Sequence, residues 1–595
     1  MEKRSFKSPL TVYVAYHQKY AEGSEVYDFT YHLLCRNSDR PQDDGLDIPV
    51  FLCTGGDDVV IAPINLRESH RTAVILLIDG QMCRDESWHN YIKGLKADLP
   101  SNARLYPVAL SKYANEFVMS TMGLQSIVLD SFSVMENQDM YAIRVMDDLI
   151  RQLRGDDVHF INRLFISHSK HDDNQEGLQY AEFLRDKINK DTKLSTFFDQ
   201  KSIVDAYDFA DQIEEAATNS MLVIVDTCTY AQREWCKKEV ITAKNNNVPI
   251  VCVDLLSGVV DRTFPYMANI PAISRPDDWK KVVRLLLSTA LRQYYVEQLL
   301  PQLVKEEKRD TTVTISIAPE LFTVCRLKPE IKTVIYPEPP VSKDELQVLL
   351  RPDKNRKFIT PMQVLADGEF LKGRNIAISV SEPQDSARYG VGTAMFQDVS
   401  VELARHILAA GGKLVYGGDL RPDGFTAALG ELTYQYVSKA DSDMTHMYMT
   451  NYVAAPYCAG ISLEDEETFY HNRVRLVKCK EPYETADVAE CLSCMRRQME
   501  NDVVARIVMG GKTTGFKGKM PGIIEEAIFS VQNEHPLYVL GGFGGAARQI
   551  VENYFEIIHN LHNGLSEEEN QVLFNSANVI EIIALILKGL KKSLK

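Results

Sequence analysis

SMLVIVDTCTYAQREWCKKEVITAK, residues 220–244, decides how the chain is read. From Ser220 to Thr227 it is a continuous apolar run of strand length, the pattern of a strand buried on both faces of a parallel sheet. From Thr229 to Lys244 the composition is that of a helix, on which Trp235 and Glu239 are four residues apart and share a face. An indole and a carboxylate just past a strand's carboxyl end sit where open α/β sheets bind ligands. Taken alone, a carboxylate beside Lys237, Lys238 and Lys244 equally suits a solvated helix face. The neighbouring segments decide between the two.

Upstream and downstream of that stretch, RLFISHS, LSTFFD and VPIVCVDLL read as further strands, with EGLQYAEFLRDKIN and FADQIEEAATN as helices between them. The amino-terminal part repeats the plan in LTVYVAY, EVYDFTYHLLCR, IPVFLC, RTAVILLID, SWHNYIKGLKADL and ARLYPVAL. Laid over each other, Trp88 falls on Trp235 and ARLYPVAL on VPIVCVDLL, so an internal duplication is the simplest account. In this alignment the position four after Trp88 is Ile92, whereas four after Trp235 is Glu239. Chemistry that needs the carboxylate therefore belongs to the second copy.

Between about Val304 and Asp367 the chain turns rich in proline and charge, the character of an extended connector carrying a few edge strands. From Gly373 a third α/β unit begins with the strand NIAISVS, and in KLVYGGDLRPDGFT, VVARIVMGGKTTGFKGKMPG and PLYVLGGFGGAARQIVENY the strands end in glycine. Such turns receive phosphate, because backbone N–H groups and a helix amino end face the anion with no Cβ in the way. The sequence therefore predicts three doubly wound α/β units with parallel sheets. The expected boundaries are 1–155, 156–300, a connector over 301–370, and 371–595.

Composition sets outer limits. Hydrophobic residues at 45% and charged residues at 25% are ordinary for a globular protein, and a net charge of -16 disfavours nucleic-acid polymers and anionic membranes as partners. No apolar run suits a signal peptide or spanning helix, so a cytoplasmic protein is expected. The eleven cysteines are scattered, and Cys491 and Cys494 form a lone CxxC without a second pair, so no metal is expected.

FISHSKHD, FFDQKSI and EWCKKE, in that order, resemble the TIR domain family over about Arg163 to Tyr295, and the first copy is similar to a degenerate TIR domain. SVSEP, YGGDLRPDGFT and VLGGFGGAARQIVE resemble the SLOG family, relatives of the SMF/DprA and LOG proteins. Where LOG-type enzymes carry PGGxGTxxE, this chain has LGGFGGAARQI, a departure that favours binding a nucleotide over hydrolysing it.

The TIR resemblance implies cleavage of the nicotinamide–ribose bond of NAD+, with NAD+ as substrate and no further cofactor. Glu239 would be the catalytic carboxylate, with Ser167, His168, Asp199 and Trp235 binding substrate. Trp235 suits a pocket wall or a packed indole, His168 a general base or a neutral positioning group, and Asp199 a mobile-loop residue or a turn cap. The SLOG resemblance implies a pocket for a cyclic nucleotide or an ADP-ribose-derived signal. Its expected residues are Ser379, Ser381, Gly417, Gly418, Arg421, Lys512, Gly518, Glu525, Gly541, Gly542 and Gly544. Glu525 equally suits a carboxylate that favours a helix dipole. The combination looks like bacterial antiphage effectors of the CBASS or Thoeris kind, in which a signal drives assembly into a homo-oligomer or filament that completes the TIR sites. A synthase making a cyclic ADP-ribose isomer and a non-enzymatic scaffold remain as alternatives.

Overall fold

The computed structural model describes residues 7–35, 45–155, 162–169, 172, 174–197, 220–256, 264–418, 420–421, 424–436 and 446–595. In the first unit β1 (Thr11–His17), β2 (Val50–Gly55), β3 (Thr72–Ile78), β4 (Ala103–Ala109) and β5 (Ile127–Val128) pair in parallel, in the order β2-β1-β3-β4-β5. Every residue of β1 and β3 is buried, as their unbroken apolar runs require.

The second unit holds β6 (Arg163–His168), β7 (Ser195–Phe197), β8 (Met221–Asp226), β9 (Ile250–Asp254) and β10 (Ala272–Ser274). Their order is β10-β9-β8-β6-β7, which read from the other edge is that of the first sheet. Asp199, its loop and the FADQIEEAATN segment lie outside the described residues.

The two sheets share a strand order, but Trp88 does not stand at the place of Trp235. Helix Glu86–Ala97 starts eight residues after β3 ends, and helix Glu234–Asn245 starts eight after β8 ends. Counted from those starts, the buried Trp88, Ile92 and Leu95 fall on the buried Cys236, Val240 and Ala243. Trp88 is 0% exposed and donates its indole N–H to the Gly55 carbonyl, whereas Trp235 is 43% exposed. The residue at Glu239's place in the first unit is therefore Tyr91, not Ile92, and that unit still carries no carboxylate there.

The connector is more ordered than its composition suggests. β11 (Thr312–Thr314), β12 (Thr333–Ile335) and β13 (Lys357–Ile359) form a parallel sheet of their own over Val324, Val334, Tyr336, Leu349 and Phe358. The described residues thus contain four parallel sheets where three were expected.

The last sheet holds β14 (Asn375–Ser381), β15 (Lys413–Gly417), β16 (Met449–Val453), β17 (Val474–Lys478), β18 (Ala505–Gly510) and β19 (Leu537–Leu540), in the order β17-β16-β15-β14-β18-β19. The chain steps outward from β14 to β17 and then crosses to β18 on β14's other side. That reversal between β14 and β18 is a topological switch point, the place where open α/β sheets bind ligands.

The first unit contacts both of the others. Its helix Gln138–Arg154 packs along helix Trp279–Leu299 of the second unit, with Ser8 Oγ 2.8 Å from Tyr295 Oη and Arg71 donating to Gln298 at 2.9 Å. Toward the third unit, the Leu52 N–H donates to the Gly390 carbonyl at 2.8 Å and the Tyr31 hydroxyl to Asp398 at 2.7 Å. Among the described residues no helix is long and apolar enough to cross a membrane.

Candidate functional site

In the second sheet the chain reverses between β6 and β8, and the side chains gathered at that point are Ser167, Tyr230 and Glu239. Ser167, next to last in β6, sends its hydroxyl proton to Glu239 Oε2, and its oxygen lies 2.6 Å from the Tyr230 hydroxyl. Glu239, in the second turn of helix Glu234–Asn245, is 8% exposed. A lysine-rich helix face would have left it in water, so the solvated reading does not hold. Tyr230 opens the short turn Tyr230–Gln232 between β8 and that helix.

Asp172 ties the surrounding loops together, accepting from the hydroxyls of Thr227 and Thr229 and from the Gly177 N–H. His168 ends β6, is buried, and its carbonyl accepts from the Cys236 thiol at 3.8 Å. Trp235 shares a helix edge with Glu239 but not its surroundings, for its ring lies at the surface under Lys238 Nζ at 4.5 Å.

Asp226 and Asp254 end β8 and β9 side by side. Burial, and then the Asp254 charge, push the Asp226 carboxyl up to about 6. A folded-state value above the unfolded one means that its contribution to stability is full at low pH and is lost as pH rises through about 6. Asp226→Asn is therefore expected to raise the apparent melting temperature by roughly 2 °C above pH 7 and not at pH 4, solvent screening trimming the effect. Differential scanning fluorimetry across that range checks it.

In the third unit the expected pocket residues fall into two groups. Ser381, Gly418, Arg421, Lys512, Gly541, Gly542 and Gly544 lie about the carboxyl edge. Gly418 has φ +87° and open space where a Cβ would point, while Arg421 and Lys512 are exposed. The Ser381 carbonyl accepts from the Gly511 N–H at 2.7 Å, which ties the ends of β14 and β18. Gly541 and Gly542 are buried, and their missing Cβ atoms make room for the carbonyls of Phe574 and Ser576. Gly544, at φ +77°, abuts Tyr389 and Asp385, and the Asp385 carboxylate accepts from the Gly545 N–H at 2.9 Å. The protein's own carboxylate thus stands at the amino end of helix Gly545–Asn553, where negative charge is favoured.

Ser379, Glu525, Gly417 and Gly518 instead meet the protein's own side chains. Ser379 donates to Glu526 and accepts from Arg506, and Glu525 accepts hydrogen bonds from Ser493 and Arg496. A side chain at Gly518 would meet Arg496, and one at Gly417 would press on Met495 and Met499. Glu525 therefore completes an ion-pair network at a helix start.

Sequence reasoning did not single out Tyr230, Asp385, Arg496 or Arg506. For Arg506 a signal existed, since it is a charge inside the apolar strand ARIVMG. Tyr230 and Asp385 lie in turns where no periodicity marks them.

In the first unit His17, Asp57 and Asp85 bring potential metal-ligand atoms within 4.8 Å of one another. The Lys19 N–H donates to His17 Nδ1 at 3.1 Å, which leaves the proton on Nε2, 3.2 Å from Asp85, and Lys19 Nζ pairs with Asp57 at 2.6 Å. The cluster supplies its own cation and carries a proton where a metal would bind.

No curated protein matches the chain. Residues 370–557 match the family model SLOG cluster2, so the third unit is a SLOG-like domain.

Proposed function

We propose that the chain is a TIR-type NAD+ glycohydrolase effector of bacterial antiphage immunity, switched on by a nucleotide-derived signal bound to its SLOG-like domain. The observation that carries the reading is the buried Glu239 carboxylate at the β6/β8 reversal, held by the Ser167 hydroxyl. Cleaving NAD+ breaks the bond from ribose C1′ to the pyridinium nitrogen, and the electron pair leaves with neutral nicotinamide. The leaving group needs no acid, but the ribose develops oxocarbenium character that a fixed carboxylate stabilises. Water then adds to C1′ and releases a proton, giving ADP-ribose.

The SLOG-like domain supports the sensing half of the reading. The carboxyl edge of its sheet, with Gly418 open and Lys512 exposed, suits a phosphate-bearing ligand. The first unit contacts both the sensing and the catalytic unit, and so lies where a change in one reaches the other. Signal binding favours the assembled state by differential affinity, and assembly completes the sites. NAD+ depletion is the output.

Nicotinamide release from NAD+ tests the reading, with products resolved by mass spectrometry. ADP-ribose as product supports a glycohydrolase, and a cyclic isomer moves the reading to a synthase. No release by the wild-type chain under a panel of cyclic dinucleotides and ADP-ribose isomers moves it to a scaffold.

A further inference from the structure

We propose that Tyr230 and Ser167 form a fixed donor chain that orients the Glu239 carboxylate and favours its ionised form, so that both are positioning residues and Ser167 is not a substrate ligand. This rests on the reading of Glu239 as the carboxylate that faces the ribose.

Counting protons fixes the direction of the chain. An ionised carboxylate only accepts, and a serine hydroxyl has one proton to give. Ser167 spends that proton on Glu239 Oε2, so the 2.6 Å contact with Tyr230 has the phenol donating to the serine oxygen. Tyr230 is 1% exposed and Ser167 2%, so no water competes for either bond. Burial, and then the Glu239 charge, hold the phenol well above its ordinary range, which keeps the proton that the chain requires. The turn bearing Tyr230 is itself anchored: its N–H donates to the Thr227 carbonyl at 3.0 Å, and Asp172 holds the Thr227 and Thr229 hydroxyls.

The first unit supplies an internal control. Strand register places Ala15 against Leu76 as Ser167 lies against Ile224, so Ala15 is the counterpart of Ser167. The equal spacing from strand to helix puts Met82 at Tyr230's place and Tyr91 at Glu239's. Ala15 and Met82 are fully buried, and the Tyr91 hydroxyl instead bonds the Ile64 N–H and the Ala62 carbonyl. All three members are missing together from a sheet of the same strand order.

The consequence is geometric. With Oε2 pinned from β6 and from the turn after β8, the carboxylate cannot swing away, and its charge is aimed before substrate arrives. Preorganisation of this kind acts on the chemical step more than on binding.

The test is nicotinamide release against pH for the full chain and for Ser167→Ala, Tyr230→Phe and Ser167→Thr. Ser167→Ala is expected to lower kcat about 10- to 100-fold with KM nearly unchanged, and to move the acid limb of kcat to higher pH. Tyr230→Phe moves both in the same direction by less, and Ser167→Thr, which keeps the hydroxyl, restores most of the rate. A Ser167→Ala variant whose KM rises at unchanged kcat would make Ser167 a substrate ligand and overturn the proposal, as would an unaltered rate and pH profile.

If the wild type releases no nicotinamide at all, the proposed activity fails, and the donor chain is then judged by stability. The melting difference between wild type and Ser167→Ala should be present at pH 7 and shrink toward pH 3.5, because donation to an ionised carboxylate is lost as it protonates. An equal difference at both pH values would sink the chain.

Discussion

Glu239→Gln is expected to lower nicotinamide release from NAD+ by at least about a thousandfold while leaving the fold intact. The amide has nearly the same shape, and its carbonyl still accepts from Ser167, so the buried position next to β6 stays filled and hydrogen-bonded. The negative charge is what disappears, and with it the stabilisation of a developing oxocarbenium ion. A fall in kcat with unchanged circular dichroism and melting is the expected outcome. More than about a tenth of the wild-type rate would place the catalytic charge elsewhere. The first unit shows that this sheet order is built without the carboxylate, since Tyr91 stands in its place.

Arg506→Ala should be the most destabilising single change in the SLOG-like domain, costing about 3–5 kcal/mol. Arg506 is 0% exposed and holds Glu500 through Nε and Nη2, Glu526 through Nη1 at 2.8 Å, and the hydroxyls of Ser379 and Ser530. Removing it strands Glu500, which is also buried and keeps only His535 at 2.7 Å. The cost is mainly that of an uncompensated buried charge. Arg506→Lys should rescue little, because an ammonium cannot reproduce the fork that reaches all four partners. Hydrogen exchange of β14, β18 and β19 is the direct measurement. Protection lost there, with the first unit's strands unchanged, is the expected pattern, and unaltered protection would contradict it.

The parallel sheets were legible because their strands are unbroken apolar runs, and the helices because their apolar positions keep a period. The connector's sheet was not, since β11, β12 and β13 are three residues each, too short to raise a pattern above the surrounding proline and charge. The two copies aligned wrongly for a specific reason. A shared tryptophan drew Trp88 onto Trp235, whereas what the fold preserves is the distance from strand end to helix start.

At the site, Ser167 is read from the end of a strand and Glu239 from its place four residues after Trp235 on the helix that follows. Tyr230 is not, because its contribution depends on where a turn folds back and on no repeat along the chain. The glycines of the third unit carry a similar lesson. Gly418 is open at positive φ, whereas Gly541 and Gly542 admit the Phe574 and Ser576 carbonyls from a distant helix end. Sequence reads both alike, since a missing Cβ serves a phosphate or a neighbouring backbone equally well.

The most direct test of the whole account is NAD+ consumption by the purified full chain, alone and with each of a panel of cyclic dinucleotides and ADP-ribose isomers. Lys512→Glu, an exposed charge reversal at the sheet's carboxyl edge, and Glu239→Gln are measured beside it. Little turnover is expected alone, strong turnover with one ligand, a higher concentration of that ligand needed in Lys512→Glu, and none in Glu239→Gln. Turnover that is equally fast with no ligand, or that survives in Glu239→Gln, would contradict it.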